Sequence, residues 1–108
     1  MNKYHAKKTE VDGIVFDSKR EAQRYCELKL LLKAGAITDL ICQHEFTILP
    51  AFQKNGVKHR AITYKADFSY IENGKRVVED VKGVKTKEFR IKHKLFEYAF
   101  PTLTLKII

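Results

Sequence analysis

The sequence is short of the features that mark many protein classes. Only two cysteines, Cys26 and Cys42, occur in 108 residues, without Cys-x-x-Cys spacing or an extracellular context. Free, buried thiols in a reducing cytosol are therefore expected rather than a disulfide scaffold. No apolar run approaches the roughly 18 residues of a membrane span, and no signal-peptide pattern opens the chain. A cytoplasmic location without a membrane partner is the expectation. The four histidines, His5, His44, His59 and His93, are scattered, with no pair at ligand spacing and no cysteine nearby, which argues against a histidine metal site. A glycine-rich phosphate loop, a nucleophile elbow, internal repeats and low-complexity segments are all missing. The length suits one domain and is too short for two.

Acidic residues are also in deficit. Lys and Arg number 21 against 13 Asp and Glu, a formal charge of +8 with a pI near 9.5. That balance favours a polyanionic partner, most simply nucleic acid, because neutralising phosphates releases condensed counterions. The plainer alternative is a well-charged, soluble surface.

Several elements can be read from residue patterning. After a basic, irregular start, Asp12-Gly13 between short apolar runs predicts a small hairpin. Ser18 followed by Glu21 is an S-x-x-E capping box that opens a first helix to about Ala34, stopped at Gly35. Tyr25, Leu28 and Leu32 mark its sheet-facing stripe, and Glu21 lies on the same stripe. A long β-rich run extends from Ile37 to Leu49 and is closed by Pro50. Residues 51–61 then form a loop or hairpin tip, whose Lys54, Lys58, His59 and Arg60 either contact a substrate backbone or keep a loop solvated. A second helix runs from about Thr86 to Ala99, with Ile91, Leu95, Tyr98 and Ala99 on one face and Arg90, Lys94 and Glu97 on another. Phe89 and Phe96 pack in the core or against a partner. Leu103, Leu105 and Ile107 alternate in a final strand.

The stretch from Ile62 to Gly83 organises the rest. Its two β-rich runs flank Asn73-Gly74, the dipeptide of a type I′ turn. With those two residues central, Glu72 pairs with Lys75. Counting back along both strands sets Asp67 opposite Asp80 and Lys65 opposite Lys82, with all four side chains on one surface. Two carboxylates opposite each other lie roughly 5 Å apart and destabilise a sheet. A divalent cation between them accounts for the pairing, since hard cations are held by carboxylates, water and phosphate oxygens. The plain alternative is a strand with interspersed surface charges.

Asp67 followed by Asp80-Val81-Lys82 resembles the D…(D/E)-x-K signature of the PD-(D/E)XK nuclease superfamily, with Ala66 standing where the superfamily's name has proline. The segment from Asp17 to Arg24, DSKREAQR, is similar to a DSKxEAxR-type segment of small phage and prophage proteins assigned to that superfamily. The resemblance spans nearly the whole chain. It implies an α/β, restriction-endonuclease-like αβββαβ core, a mixed sheet flanked by two helices, as one nuclease-like domain over residues 1–108. It also implies hydrolysis of DNA with Mg²⁺ or Mn²⁺ in phage or prophage DNA processing. Asp67 and Asp80 would be metal ligands, with the Val81 carbonyl a third and Lys82 orienting the attacking water. Glu21 is either a helix cap or a further catalytic metal ligand. DNA contacts are expected along Lys85, Lys87, Arg90 and Lys94. The alternatives are a catalytically weak DNA-binding subunit of the same fold, or an RNA-directed or interaction role. Whether the protein forms a homodimer is left open.

Overall fold

A computed structural model describes residues 7–82 and 85–108. His5 and the rest of the basic start up to residue 6, together with Gly83 and Val84, lie outside the described residues. A small hairpin of β1 (Thr9–Val11) and β2 (Ile14–Phe16) turns at Asp12-Gly13 and precedes helix α1 (Lys19–Lys33). Ser18 Oγ accepts the Glu21 N–H at 3.1 Å, and Gly35, with φ +79°, follows the last turn. The other half of the capping box departs from expectation. The Glu21 carboxylate accepts the N–H of Asp17, not of Ser18, at 3.2 Å.

The central sheet has the order β3 (Thr38–Leu49), β6 (Ile62–Glu72), β7 (Lys75–Asp80), β8 (Leu105–Ile107). It is mixed: the first two pairings are antiparallel, and β7 runs parallel to β8, reached through helix α2 (Lys87–Ala99). A hairpin of β4 (Phe52–Lys54) and β5 (Val57–His59) is inserted between β3 and β6. Without the two small hairpins the order is α, β, β, β, α, β, as expected from the patterning. The helices cover opposite faces. Val77 packs with Phe16, Tyr25 and Leu28 on the α1 side, whereas its neighbour Val78 packs with Phe89, Phe96 and Leu105 on the α2 side.

Asn73 and Gly74 have φ of +53° and +76°, and Glu72 pairs with Lys75 as the type I′ turn requires. Strand β3 is less regular, with positive φ at Asp39 and Gln43 and register shifts near both ends. Gln43 has a consequence for the sheet. Leu40 and Cys42 pack on the α1 side but Phe46 and Ile48 on the α2 side. Across the ladder, Phe68 and Tyr70 likewise face α1 while Tyr64 and Ala66 face α2. Residues two apart share a face in a regular strand, so the two strands exchange faces at Gln43 and Asp67.

Three expectations need correction. On α2, the buried residues are Phe89 and Phe96, while Ile91 and Tyr98 are 63% and 88% exposed. The aromatic rings win the inward position because they pack edge-on or tilted against Phe46 and Tyr64 and bury far more surface than Ile91 could. Both cysteines are free, but Cys26 is exposed and Cys42 only half-buried. Cys26 follows Tyr25 directly on α1 and so falls off the inward stripe. Lys65 does not oppose Lys82 in a ladder either: β7 ends at Asp80, and Lys65 pairs with Glu45 on β3. Among the described residues, no helix is long and apolar enough to cross a membrane.

Candidate functional site

Where the β6–β7 ladder stops, two carboxylates take over its hydrogen bonds. The last ladder pair is Phe68 and Glu79. One residue further, the Asp67 N–H donates to Asp80 Oδ1 at 3.1 Å, and the Val81 N–H donates to Asp67 Oδ2 at 2.7 Å. Asp67 and Asp80 are thus neighbours, as the turn register predicts, but the expected single surface for Lys65, Asp67, Asp80 and Lys82 is not formed, because the face exchange at Asp67 sends the two carboxylates to opposite sides of the sheet.

Asp80 is fully buried on the α2 side. Its Oδ2 accepts the Tyr64 hydroxyl and lies 3.2 Å from Lys82 Nζ. Lys82 Nζ also sits 4.8 Å from the centre of the Phe89 ring, a cation–π contact that fixes the ammonium between an acid and an aromatic face. Burial pushes the Asp80 carboxyl above the usual range, although Lys82 and the Asp67 N–H pull it down. Asp67 reaches the other way, toward Glu21 on α1, close enough for each carboxyl to act on the other's ionisation. Glu21 is pushed up to about 8, first by burial and then by the negative charge of Asp67. Asp67 is also raised by burial, against the Val81 N–H, Glu21 and Lys82. So Glu21 is both a partner of the Asp17 N–H and a member of the acid group.

Three carboxyls therefore meet in sequence across the end of β6 and β7, with Lys82 beside the last. They are hard oxygen donors of the kind that Mg²⁺ takes. Among the described residues, no group of three or more His, Cys, Asp and Glu side chains stands ready as a metal cage. Asp67 and Asp80 turn to opposite sides of the sheet, toward Glu21 and toward Tyr64 and Lys82 respectively.

Sequence reasoning missed the adjoining acid. Glu79 is fully buried on the α1 side and accepts Arg24 Nε at 2.9 Å, an Arg24 terminal nitrogen at 2.7 Å, and the Tyr70 hydroxyl. Burial alone would raise its pKa. The Arg24 and Tyr70 bonds, with the charges of Arg24 and Lys106, outweigh that and hold the carboxyl below its ordinary value. The signal was present in the segment from Asp17 to Arg24, whose glutamate and arginine fall one turn apart on α1 and dock on β6 and β7 respectively.

Residues 1–108 match the family described as "Protein of unknown function (DUF1064)". The chain belongs to DUF1064. No curated protein and no solved structure matches it. In this DUF1064 chain, a cavity of about 290 Å³ opens beside the acids, lined by Tyr64, Lys65, Lys82, Thr86, Phe89 and Lys92 among others. Lys65 and Lys82 thus share a cavity although they share no ladder pair. Lys85, Lys87, Arg90 and Lys94 are all exposed, the first two flanking the α2 N-cap Thr86.

Proposed function

We propose that this DUF1064 chain is a metal-dependent deoxyribonuclease of the PD-(D/E)XK type, with a restriction-endonuclease-like core, acting in phage or prophage DNA processing in a bacterial cytoplasm. The observation that carries the reading is the meeting of Glu21, Asp67, Asp80 and Lys82 at one end of the sheet, drawn from α1, β6 and the end of β7. Burial favours the neutral form of these carboxyls, and a bound cation would favour the charged form instead, which supports a functional role for the group.

Bound Mg²⁺ or Mn²⁺ supplies charge neutralisation at a phosphate and lowers the pKa of a water. Asp67, Asp80 and Glu21 are the side chains that would hold it, with the Val81 carbonyl. Lys82, kept in place by Asp80 and Phe89, offers a compact cation with three donors to orient the attacking water and meet charge on the phosphate. Lys85, Lys87, Arg90 and Lys94 carry the DNA backbone away from the site along the exposed side of α2. Replacing Lys85 and Lys87 by alanine lowers the slope of log affinity against log salt by about two units.

One observation favours a second reading. Asp67 and Asp80 are satisfied by backbone N–H groups without any metal, which suits a DNA-binding subunit of the same fold with little activity of its own. The deciding experiment incubates the protein with linear, branched and single-stranded DNA, with and without Mg²⁺. Mg²⁺-dependent cleavage that Asp67→Asn abolishes supports the nuclease. Binding without cleavage of any substrate supports the subunit.

A further inference from the structure

The β4–β5 hairpin is the tip of a longer one. Beyond a bulge near Leu49, the pairing Leu49 with Ile62 continues in the same register as Phe52 with His59 and Lys54 with Val57. Only residues 50–51 and 60–61 interrupt it, where Pro50 has no N–H to give. The turn is again Asn-Gly, with φ of +51° and +76° at Asn55 and Gly56. Every residue from 50 to 61 is exposed, so this arm packs on neither core cluster. No Asp or Glu occurs between Glu45 and Asp67, while Lys54, Lys58, Arg60 and Lys65 do. Among the described residues, none of those four cations enters an ion pair.

We infer that this arm is a duplex-DNA-binding ribbon that enters the major groove and reads base edges through Gln53, Lys58 and Arg60; the inference rests on DNA being the substrate proposed above. A two-stranded ribbon is of the width that the major groove, about 12 Å across, admits. Strand alternation sets Gln53 and Lys58, a cross-strand pair, on one face with Arg60 next in line. Amide and basic side chains of this kind make the paired hydrogen bonds that distinguish adenine and guanine in that groove. The other face carries Phe52 and His59 stacked at 4.6 Å and 15°.

Reach fits as well. Six residues from Leu49 to Asn55 and five from Ile62 to Asp67 together span on the order of 35 Å at about 3.3 Å per residue. One turn of duplex is about 34 Å. The arm tip therefore meets the groove about one helical turn from Asp67, with Lys65 on the way to the cavity it shares with Lys82.

The test measures binding in EDTA, so that no cleavage intervenes, to labelled DNA duplexes of different sequence, a single strand of one of them and the same sequence as duplex RNA. The variant is Gln53→Ala/Lys58→Ala/Arg60→Ala, whose exposed positions leave the core intact. Expected is a loss of about 30-fold or more on the duplex sequence that wild type prefers, with the spread of affinities among duplexes of different sequence reduced; a uniform loss across sequences with a salt slope lower by about two units overturns base reading in favour of phosphate contact. Wild-type cleavage with Mg²⁺ is followed in parallel. Wild type that cleaves duplex DNA while the variant binds it equally well overturns the arm and leaves the nuclease reading standing. Wild type that neither binds nor cleaves DNA overturns both. A larger loss on single strand or RNA than on duplex DNA overturns the major-groove assignment.

Discussion

Glu79 and Asp80 are consecutive, and each is 0% exposed, yet their surroundings drive them in opposite directions. Glu79 meets a bidentate guanidinium and a phenol on the α1 side and is held in its charged form. Asp80 meets a phenol, a backbone N–H and one lysine shared with an aromatic ring, and burial still raises it. A buried acid whose charge is answered inside the fold serves the fold. One whose charge is under-answered is available to something from outside, and Asp67 and Glu21 extend that shortfall across the sheet end.

The comparison breaks most severely at Arg24. Arg24→Ala leaves Glu79 buried without its ion pair, and urea unfolding should show a loss of about 3–5 kcal/mol. A loss under 1 kcal/mol on that ~3–5 scale would mean Glu79 is hydrated after all. Next is Lys82→Ala, which should reduce Mg²⁺-dependent cleavage by about 100-fold, some 2.7 kcal/mol in the barrier, with DNA binding changed only a few fold. Unchanged turnover would remove Lys82 from the chemistry.

Glu21→Gln sharpens the difference through pH. The folded carboxyl is raised from 4.5 to about 8, so the stability its neutral form contributes is complete below 4.5 and is lost as pH rises toward 8. Glutamine keeps both the acceptor for the Asp17 N–H and a donor for Asp67. Without metal, the variant should therefore match wild type near pH 4 and exceed it at pH 8 by on the order of 2 kcal/mol. Parallel melting curves for the two proteins across that range would refute the raised acid. The smallest effects come from deleting one hydroxyl on each side. Tyr70→Phe should cost about 2 kcal/mol at pH 7, and Tyr64→Phe about 1, because a hydrogen bond to the more firmly ionised carboxylate is the stronger. Equal losses in denaturant titrations would erase the asymmetry.

Much of this architecture was written in local sequence. Asn73-Gly74 dictated a turn and hence the neighbourhood of Asp67 and Asp80, and Ser18 announced a helix start, because both signals act within four residues. What stayed hidden depends on contacts distant in sequence. Nothing near Gln43 marks it as a left-handed residue in mid-strand, and without that residue the strand count places Lys65, Asp67, Asp80 and Lys82 on one surface. The pairing of Arg24 with Glu79 spans 55 positions. The inward choice of Phe89 and Phe96 over Ile91 and Tyr98 was decided by the rings on β3 and β6 that receive them.

Strand β6 belongs to two hairpins, one turning at Asn55-Gly56 and one at Asn73-Gly74. In kinetic terms, three of the four central strands can zip from two tight turns, each closing on the microsecond scale of hairpin formation, before any distant segment arrives. The costly searches are then the docking of α1 and the parallel addition of β8, which must cross α2 first. Asp67 and Asp80 would already be neighbours in that early meander; the arrival of α1 with Glu21 and Arg24 is the step that covers Asp67 and Glu79, and α2 covers Asp80. If the proposed metal binds, its affinity and the last folding step are expected to be coupled, because the acid group is completed only when the helix seats.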